Sequence, residues 1–566
     1  MYKPLKYIIH ILAAIFGSLA IIFAVAAWRL SSGPISIAFL SPYLEEAFAS
    51  EELSYRLEFN DTLLTWAGWN RTLDILITDA HVVSSDGKTL ATVPELSLEL
   101  SALALLKGHI KPTNVEFLNP SVHFLRNRQG RLEFAFGAEF EEPNDAINGL
   151  ITNFLTNHEV DHPLGDLKHI SILGATIDVD DELLGLSWRS SEADLLFRLN
   201  DHRIEGDILA NVEVGETSFD VIAATSFERN DGSTRTTLRI AEFVPDHLAG
   251  LSPNFAAFQG INLPLSGYLR FTLDSEGQLA ETVNFDLIGE AGRLDIAEII
   301  PESSPVTKLK IQGSANADLA TVDFEELVVE TGGPTISYHG RLEGWPEKPG
   351  IFGTFEFMDM PFNKLNNYWP EFLLPNLRLW ILENMLDGVI THFTADIDVK
   401  PGELELVEAG KRPEALDVTY EFRDATVNYL EGQPYAFGVN GKGYIDSGNM
   451  TLHVRDAAIE EMHAPTGIVT ITDLMQDSAM IKIIGHVEGP VENALSLIDK
   501  PGFGYFNAVG MRIDQFDGHI VAEIGMQMPF RRNVQLEEAQ FVAIARLTDL
   551  SVRDLPGKRS LTNGNF

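Results

Sequence analysis

Alternation of apolar and polar residues with a period of two constrains the fold of this chain most strongly. Residues 53 to 60, LSYRLEFN, place four apolar side chains on one side of an extended chain and four polar ones on the other. The same pattern recurs at 269–274, 283–287, 308–311 and 416–423. The apolar positions of three such runs form one candidate face: Leu53, Tyr55, Leu57, Phe59, Leu309, Ile311, Val418, Tyr420 and Phe422.

Turn signals separate the alternating runs. They are Ser85-Asp86-Gly87, Asn230-Asp231-Gly232, Ser275-Glu276-Gly277 and Gly332-Gly333-Pro334. Short strands joined by such turns are typical of antiparallel meanders. The sequence therefore predicts a mainly β protein, with an extended, twisted antiparallel sheet and a few amphipathic helices.

Composition narrows the function classes. The chain has 566 residues, with 45% hydrophobic and 22% charged residues, which is ordinary globular composition. Its 82 acidic and 41 basic residues give a formal net charge of −41, which repels phosphate backbones, so nucleic acid is not an expected partner. The absence of cysteine excludes disulfides, thiolate metal sites and thiol nucleophiles.

An apolar segment near the N-terminus predicts a membrane anchor. Residues Ile8 to Ala27 are interrupted only by His10 and Ser18. Twenty helical residues at about 1.5 Å each span roughly 30 Å, which matches the hydrocarbon core of a bilayer. No other segment approaches this length of apolar sequence, so we expect a single transmembrane helix over residues 7–28.

The flanking charges predict the orientation of this helix. Lys3 and Lys6 precede it, whereas residues 34–59 carry a single arginine. Positive residues stay on the cytoplasmic side, so residues 1–6 should be cytoplasmic and the rest exported. A cleaved signal peptide stays open as an alternative, because Ala24-Val25-Ala26 resembles a cleavage site.

Three segments have helical rather than strand-like patterns. Residues 144–157 place apolar side chains at i, i+3, i+4, i+7 and i+8, which predicts an amphipathic helix. Residues 375–385 begin with a proline and are followed by Gly388, which are typical of the start and the stop of a helix. A shorter helix is expected over residues 490–499.

Two motifs suggest metals and are better explained otherwise. His158-Glu159-Val160-Asp161-His162 matches the zinc pattern H-E-x-x-H, but Pro163 follows at once, so a polar helix end is the favoured interpretation. The acidic run 178–182, DVDDE, has Leu183 and Arg189 where a calcium loop needs glycine and glutamate. A solvated strand end or turn explains it better, and we expect no catalytic, metal or cofactor site.

Several stretches, in order, resemble the AsmA-like family of bacterial envelope proteins, and its long YhdP-type branch in particular. Residues 66–134, with ALLKG and NPSV, are similar to the opening module of that family, and residues 167–188 to its next strand pair. The most distinctive stretch is 368–390, YWPEFLLPNLRLWILENMLDGVI, which resembles the family's helical insertion. The residues that carry this likeness are Trp369, Pro370, Pro375, Trp380, Asn384 and Gly388.

The resemblance implies a fold and a function. It implies a protein fixed in the bacterial inner membrane, whose periplasmic sheet forms an apolar groove that carries phospholipid toward the outer membrane. Outer-membrane or other envelope proteins would be its partners, and no cofactor is implied. Relatives usually continue beyond the position of Phe566, so a fragment and a natural truncation are both open as interpretations of this chain.

The expected organisation follows from these patterns. It comprises a cytoplasmic stub (1–6), an anchor (7–28), an N-terminal β module (29–141), an amphipathic helix and linker (142–163), β-groove repeats (164–360), a helical insertion (361–388) and further repeats (389–566). Period-two patterning shows an apolar face but does not say what covers it. A lipid groove, a scaffold of closed sheets and, more remotely, a zinc hydrolase using His158, Glu159 and His162 remain open.

Overall fold

The structure is a computed structural model of the chain. It describes residues 10, 16–18, 21, 24–25, 28–29, 33–42, 55–65, 74–84, 89–101, 104, 107, 111–128, 132–136, 165–295, 304–318, 320–344, 348–369, 373–403, 415–446, 448–474, 476, 478–499, 512–531, 534, 538–555 and 559–566. The predictions for Leu53, for the helix at 144–157, for the zinc-like motif at 158–162, for Pro370 and for the turn at 85–87 lie outside these residues.

Strands dominate the described residues, as the alternation predicts. In the first half of the chain they are β1 (Ile35–Ser36), β2 (Tyr55–Glu58), β3 (Asp61–Thr65), β4 (Asp74–Ser84), β5 (Thr89–Leu100), β6 (Pro112–Leu118), β7 (Ser121–Arg126), β8 (Leu132–Phe136), β9 (His169–Asp181), β10 (Leu186–Leu199), β11 (Arg203–Val214), β12 (Thr217–Glu228), β13 (Thr234–Phe243), β14 (Ile261–Asn262) and β15 (Leu265–Leu273).

The second half continues in the same way. Its strands are β16 (Val283–Gly289), β17 (Gly292–Leu294), β18 (Ser304–Val306), β19 (Lys308–Ala315), β20 (Thr321–Glu330), β21 (Thr335–Glu343), β22 (Gly350–Pro361), β23 (Met385–Val399), β24 (Ala415–Val427), β25 (Ala436–Asp446), β26 (Asn449–Ile459), β27 (Met462–Thr472), β28 (Met480–Pro490), β29 (Phe516–Pro529), β30 (Gln540–Leu555) and β31 (Arg559–Gly564).

Helices are short in the described part of the chain. The α-helices are α1 (Asp246–Ala249), α2 (Pro375–Asn384) and α3 (Val491–Ile498). The 3-10 helices are η1 (Ala38–Leu40), η2 (Pro253–Phe258), η3 (Phe362–Asn367) and η4 (Ile513–Gln515). Helices α2 and α3 confirm the predictions at 375–385 and 490–499.

The chain divides into two compact units. The first comprises Met1–Phe243, His247–Phe258 and Ser266–Val283. The second comprises Val244–Asp246, Gln259–Leu265 and Asn284–Phe566. In the first unit, each strand from β9 to β13 pairs with the next strand along the chain. In the second unit, each strand from β19 to β31 does the same, and all of these pairs are antiparallel.

The prediction of an antiparallel sheet is wrong at one place in the first unit. Strands β6 and β7 both pair in parallel with β9, along its first and second halves. A parallel pair needs a crossover of a dozen or more residues between its strands. Residues 137–168, which join β8 to β9, supply that length, so the sheet of this unit is mixed.

A repeated aspartate interrupts the alternation of four long strands. Asp79, Asp359, Asp424 and Asp549 each have a φ of +54° inside a strand. Each sits two residues after one apolar residue and directly before another, as in Phe422-Arg423-Asp424-Ala425. Aspartate tolerates the left-handed region better than most residues. At Asp424 and Asp549 the strand has one residue more than its partner strand, which is a β-bulge.

The left-handed aspartates change which residues face inward. Ile77 and Ala80 are 0% and 2% exposed, and Phe422 and Ala425 are 5% and 0% exposed, although each pair is three residues apart. A strict period of two would place one member of each pair outside. The amide of Asp424 donates to Asn440 Oδ1 at 3.0 Å on the neighbouring strand, which fixes the bulge.

The anchor predicted at 7–28 lies mostly outside the described residues. Among the described residues, no helix is long and apolar enough to cross a membrane.

Candidate functional site

An apolar face crosses five strands of the first unit. Strand pairing places Ile172 opposite Leu195, Leu195 opposite Ile208, Ile208 opposite Ala223 and Ala223 opposite Leu238. These five residues, one from each of β9 to β13, are the Ile172 row. At about 4.8 Å between strands the row is roughly 19 Å long.

Two further rows flank the Ile172 row on the same face. One is Ala175, Ala193, Ala210, Val221 and Ile240, and the other is Ile170, Phe197, Gly206, Thr225 and Thr236. The two threonine hydroxyls lie 3.3 Å apart and hydrogen-bond to each other. We call these three rows the first lining; it contains no charged side chain.

The chain itself covers both ends of the first lining. At one end, Val212 and Val214 pack with Leu248 of α1 and Phe255 of η2. At the other end, Leu199 and Ile204 belong to a cluster with Ile75 and Leu98. Ile208 and Leu238, between these ends, belong to neither cluster and are half-buried.

The opposite face of the same strands is polar. Arg198 Nη1 lies 3.0 Å from Asp207 Oδ2, and Arg203 Nε lies 3.0 Å from Glu205 Oε1. Leu209 and Ile222, which pair with each other across β11 and β12, are exposed apolar residues on that face. The first lining and this charged face therefore give the sheet two chemically distinct sides.

The second unit has a longer apolar face, formed by two rows. The Ile311 row crosses eleven strands: Ile311, Leu327, Tyr338, Phe355, Ala395, Val418, Ile445, Met450, Ile471, Ile481 and Met528. The Leu309 row crosses twelve: Leu309, Val329, Ile336, Phe357, Phe393, Tyr420, Gly443, Leu452, Val469, Ile483, Met526 and Phe541. We call these rows together the second lining.

Four residues singled out in the sequence meet in these rows. Ile311 and Val418 belong to one row, and Leu309 and Tyr420 to the other. Phe422 follows on the same face of β24. Pairs separated by more than a hundred residues in sequence are therefore brought to one face.

The other predicted lining residues belong to the first unit. Tyr55 and Leu57 lie in β2, which pairs with β4, and their side chains are outside the described part of the structure. Phe59 follows β2, is half-buried and packs against the cluster around Ile77.

Much of the second lining is covered by the chain itself. Leu374 and Leu377 of the segment 362–384, which we call the helical insert, share a buried cluster with Val418 and Ile445. Phe362 of the insert contacts Phe422 with ring centroids 5.8 Å apart. Val418 and Phe422 are each 5% exposed as a result.

A small sheet covers the Leu309 end of the second lining. Strands β14, β17 and β18 form a separate three-stranded antiparallel sheet. Leu294 and Val306 of these strands pack against Leu309, which is 3% exposed.

Aromatic rings fill the space above glycines in the second lining. A Cβ on Gly443 would lie 2.3 Å from Tyr420 Cζ, and one on Gly441 would lie 2.9 Å from the Phe422 ring. Phe357 and Phe393 stack with centroids 4.2 Å apart. The rings of Tyr420 and Phe422 therefore occupy the space that a side chain at Gly443 or Gly441 would need.

Two tyrosine hydroxyls differ in their surroundings. Tyr338 donates to the Phe352 carbonyl at 2.9 Å, and burial raises its pKa to about 12. Burial also raises the pKa of Tyr420, and no described residue hydrogen-bonds its hydroxyl. Both tyrosines are neutral at physiological pH, so the second lining carries no charge from them.

The helical insert is fixed by hydrogen bonds from its predicted residues. Trp369 Nε1 donates to the Leu373 carbonyl at 2.7 Å, and Asn384 Nδ2 donates to the Trp380 carbonyl at 2.9 Å. Pro375 is the first residue of α2, as predicted. The ring of Trp380 lies 6.0 Å from that of Phe530.

The predicted role of Gly388 as a helix stop is wrong. Helix α2 ends at Asn384 and strand β23 begins at Met385 without a glycine turn. Gly388 lies inside β23 with a φ of +102°, and a Cβ there would be 2.6 Å from Ala425 Cα. Close approach of β24, not helix termination, requires glycine at this position.

Two groups of neighbouring ionisable side chains, around His81 and at the end of β9, lie outside both linings. His81 Nε2 is 3.2 Å from Asp79 Oδ1 and its Nδ1 is 3.2 Å from Thr92 Oγ1, a contact between adjacent strands. Asp178–Asp181 end strand β9, as the strand-end interpretation predicts. Among the described residues, no three His, Cys, Asp or Glu side chains are placed to hold a metal ion.

Sequence reasoning missed the residues that cover the second lining. Arg378 is 5% exposed within α2, and its guanidinium donates to the Trp369 carbonyl at 2.9 Å and to Asn366 Oδ1 at 2.7 Å. The sequence predicted a helix at 375–385 but did not indicate which residues it packs against. Comparison of the chain with protein-family models, with curated proteins and with solved structures found no match.

Proposed function

We propose that this chain is a membrane-anchored lipid-binding protein that moves phospholipid along its apolar linings. It acts by binding and transfer, without covalent chemistry. The observation that carries the proposal is the half-buried centre of the first lining, at Ile208 and Leu238, between two ends that the chain closes.

Energetics support an apolar ligand at this place. Apolar surface left in water costs about 25 cal/mol per Å², and burying one methylene contributes about 0.8 kcal/mol. An acyl chain laid across the Ile172 row would bury its own methylenes and the exposed part of Ile208 and Leu238 together. A charged headgroup would stay in water, because no side chain of the first lining carries a charge to pair with it.

The resemblance to AsmA-like proteins supports phospholipid as the ligand and the bacterial envelope as the location. On this proposal the N-terminal segment is fixed in the inner membrane, the bulk lies in the periplasm, and outer-membrane or other envelope proteins receive the lipid. The described residues within 7–28 are helical, and Phe16 and Trp28 among them are 68% and 70% exposed, which suits contact with a bilayer.

A scaffold function is the second candidate, and the second lining favours it. There the helical insert buries Val418 and Phe422, so the protein supplies its own cover. A protein that closes its sheets in this way throughout would act through surface contacts with envelope proteins rather than through lipid.

Native mass spectrometry of the full chain, purified without added lipid, tests the proposal. Co-purifying phospholipid that is lost in Ile208→Asp, while hydrogen exchange shows β11 still folded, supports lipid binding by the first lining. Wild-type chains without bound lipid would favour the scaffold. The matched control is Leu209→Asp, one residue away on the charged face, which should keep the lipid.

A further inference from the structure

A buried arginine in the helical insert has no carboxylate partner among the described residues. The side chain of Arg378 donates only to two neutral groups, the Trp369 carbonyl and Asn366 Oδ1, although the residue is just 5% exposed. A guanidinium always carries its charge and has five N–H donors, so most of its donors remain after these two bonds. Burying a charge without an opposite charge is unfavourable. Arg378 therefore needs an anion that the described residues do not supply.

The guanidinium lies at the N-terminal end of α2. Side chains of a helix tilt toward its N-terminus, and both acceptors of Arg378 precede α2 in the sequence. The helix begins at Pro375 without a capping side chain and without an acidic residue in its first turn. Among the described residues, none accepts a hydrogen bond from the amides of Asn376 and Leu377. Such amides carry partial positive charge, which favours an anion at this end of the helix.

This end of α2 has an open polar side and a covered apolar side. Asn366, Pro375 and Asn376 are exposed, so the polar groups lie at the surface. Because Asn366 uses Oδ1 to accept from the arginine, its Nδ2 is left as a further donor. Leu374 and Leu377 of the same turn belong to the buried cluster of the second lining. Donors and apolar side chains are thus adjacent here.

We infer that Arg378, Asn366 and the amide of Asn376 form a binding site for an oxyanion of the phosphate class. The planar guanidinium matches two phosphate oxygens with parallel N–H donors. The anion supplies the opposite charge that Arg378 lacks. Phosphate has two sources, the headgroup of a phospholipid and free phosphate. The headgroup as source rests on the proposed function, whereas the site itself does not.

Titration calorimetry of the full chain in maltoside detergent tests the site. The probes are inorganic phosphate and dihexanoyl phosphatidylglycerol, which share a phosphate group and differ in acyl chains. Tighter binding of the lipid identifies a headgroup as the ligand, and binding of inorganic phosphate alone identifies free phosphate; each result supports the site. Wild-type protein that binds neither probe would overturn the inference.

A pair of variants locates the binding. Asn366→Asp places a carboxylate where Oδ1 now lies 2.7 Å from the guanidinium, so the arginine gains an anion within the chain. Binding of either probe should weaken at least about tenfold, and the midpoint of thermal unfolding should not fall. Asn367→Asp adds the same charge one residue away and should bind within about twofold of the wild type. Unchanged binding by Asn366→Asp, or a lower midpoint, would show that Arg378 needs no anion.

A carboxylate elsewhere in the chain is the competing explanation. Glu371 follows Trp369 by two residues and lies outside the described residues. Phosphate binding that appears only in Glu371→Gln would assign the opposite charge to Glu371 and overturn the inference. Failure of these tests leaves the proposed function standing, because loss of lipid in Ile208→Asp is measured separately on the first lining.

Discussion

The two linings differ in what covers them, although their strands alternate in the same way. In the first unit the centre of the apolar face is half-buried at Ile208 and Leu238. In the second unit the helical insert buries Val418 and Phe422 to 5% exposure. Alternation therefore creates an apolar face, and segments distant in sequence decide whether a ligand could reach it.

The largest expected difference between the linings is the loss of stability when an aspartate is placed in each of them. Phe422→Asp should lower the free energy of unfolding by about 4 kcal/mol or more, because the insert keeps water from the carboxylate. Ile208→Asp should cost only about 1–2 kcal/mol, since its half-buried position lets the charge reach water. Hydrogen exchange of β24 and β11 in the two variants measures each loss locally, and equal losses would remove the distinction between the linings.

The next largest loss of stability is expected from overpacking the second lining, which the helical insert covers. Gly443→Ala places a methyl 2.3 Å from Tyr420 Cζ, so we expect a loss of about 1–3 kcal/mol in urea unfolding. Gly467→Ala is the control, because its Cβ would meet nothing closer than 3.5 Å. Adding Tyr420→Leu to Gly443→Ala should restore part of the loss. A neutral Gly443→Ala would show that the ring can move away.

A smaller effect is expected at the bulges that keep apolar residues inside the second lining. Asp424→Val should cost about 1–2 kcal/mol, since a β-branched residue is strained at a φ of +54°. Asp424→Gly should be within a few tenths of the wild type. Asp417→Val, on the same strand and opposite Asp396, should be neutral or stabilising. The midpoint of urea unfolding separates the three variants, and a harmless Asp424→Val would mean that the bulge does not need its aspartate.

The smallest effect is a pH dependence on the exposed side of the second unit. Hydrogen bonds to Asp456 and then Glu488 raise the pKa of His463 above its ordinary value of 6.5. The stabilisation from the charged imidazole is complete below the unfolded pKa and is lost as pH rises through the folded pKa. An NMR titration of His463 should therefore show a raised pKa, and Asp456→Asn should lower it. An ordinary value in the wild type would contradict this contact.

Part of this architecture could be predicted from sequence because it is local. Alternation predicted strands β15, β16, β19 and β24, Pro375 predicted the start of α2, and Gly232 predicted the turn at 230–232. Pairing rows were not predictable, because each pair such as Leu309 and Tyr420 depends on the register of every strand between them. The linings thus appear only once that register is known.

The sequence carried weaker signals for the left-handed aspartates and for the helical insert that covers the second lining. An apolar residue, any residue, aspartate and a second apolar residue recur at 77–80, 357–360, 422–425 and 547–550, and this repeat could have predicted the left-handed aspartates. Nothing local shows where the insert packs, since burial of Arg378 depends on acceptors at Trp369 and Asn366. The parallel pairing of β6 and β7 with β9 likewise depends on a distant crossover.

Photo-crosslinking from adjacent positions on opposite faces tests the central claim most directly. A photoreactive residue at Ile208 faces the first lining, and one at Leu209 faces the charged side, where it is 46% exposed. If the first lining holds acyl chains, phospholipid should crosslink from position 208 and not from 209, although 209 is the more exposed. Crosslinks from 209 equal to or above those from 208 would show nonspecific lipid contact and contradict the proposal.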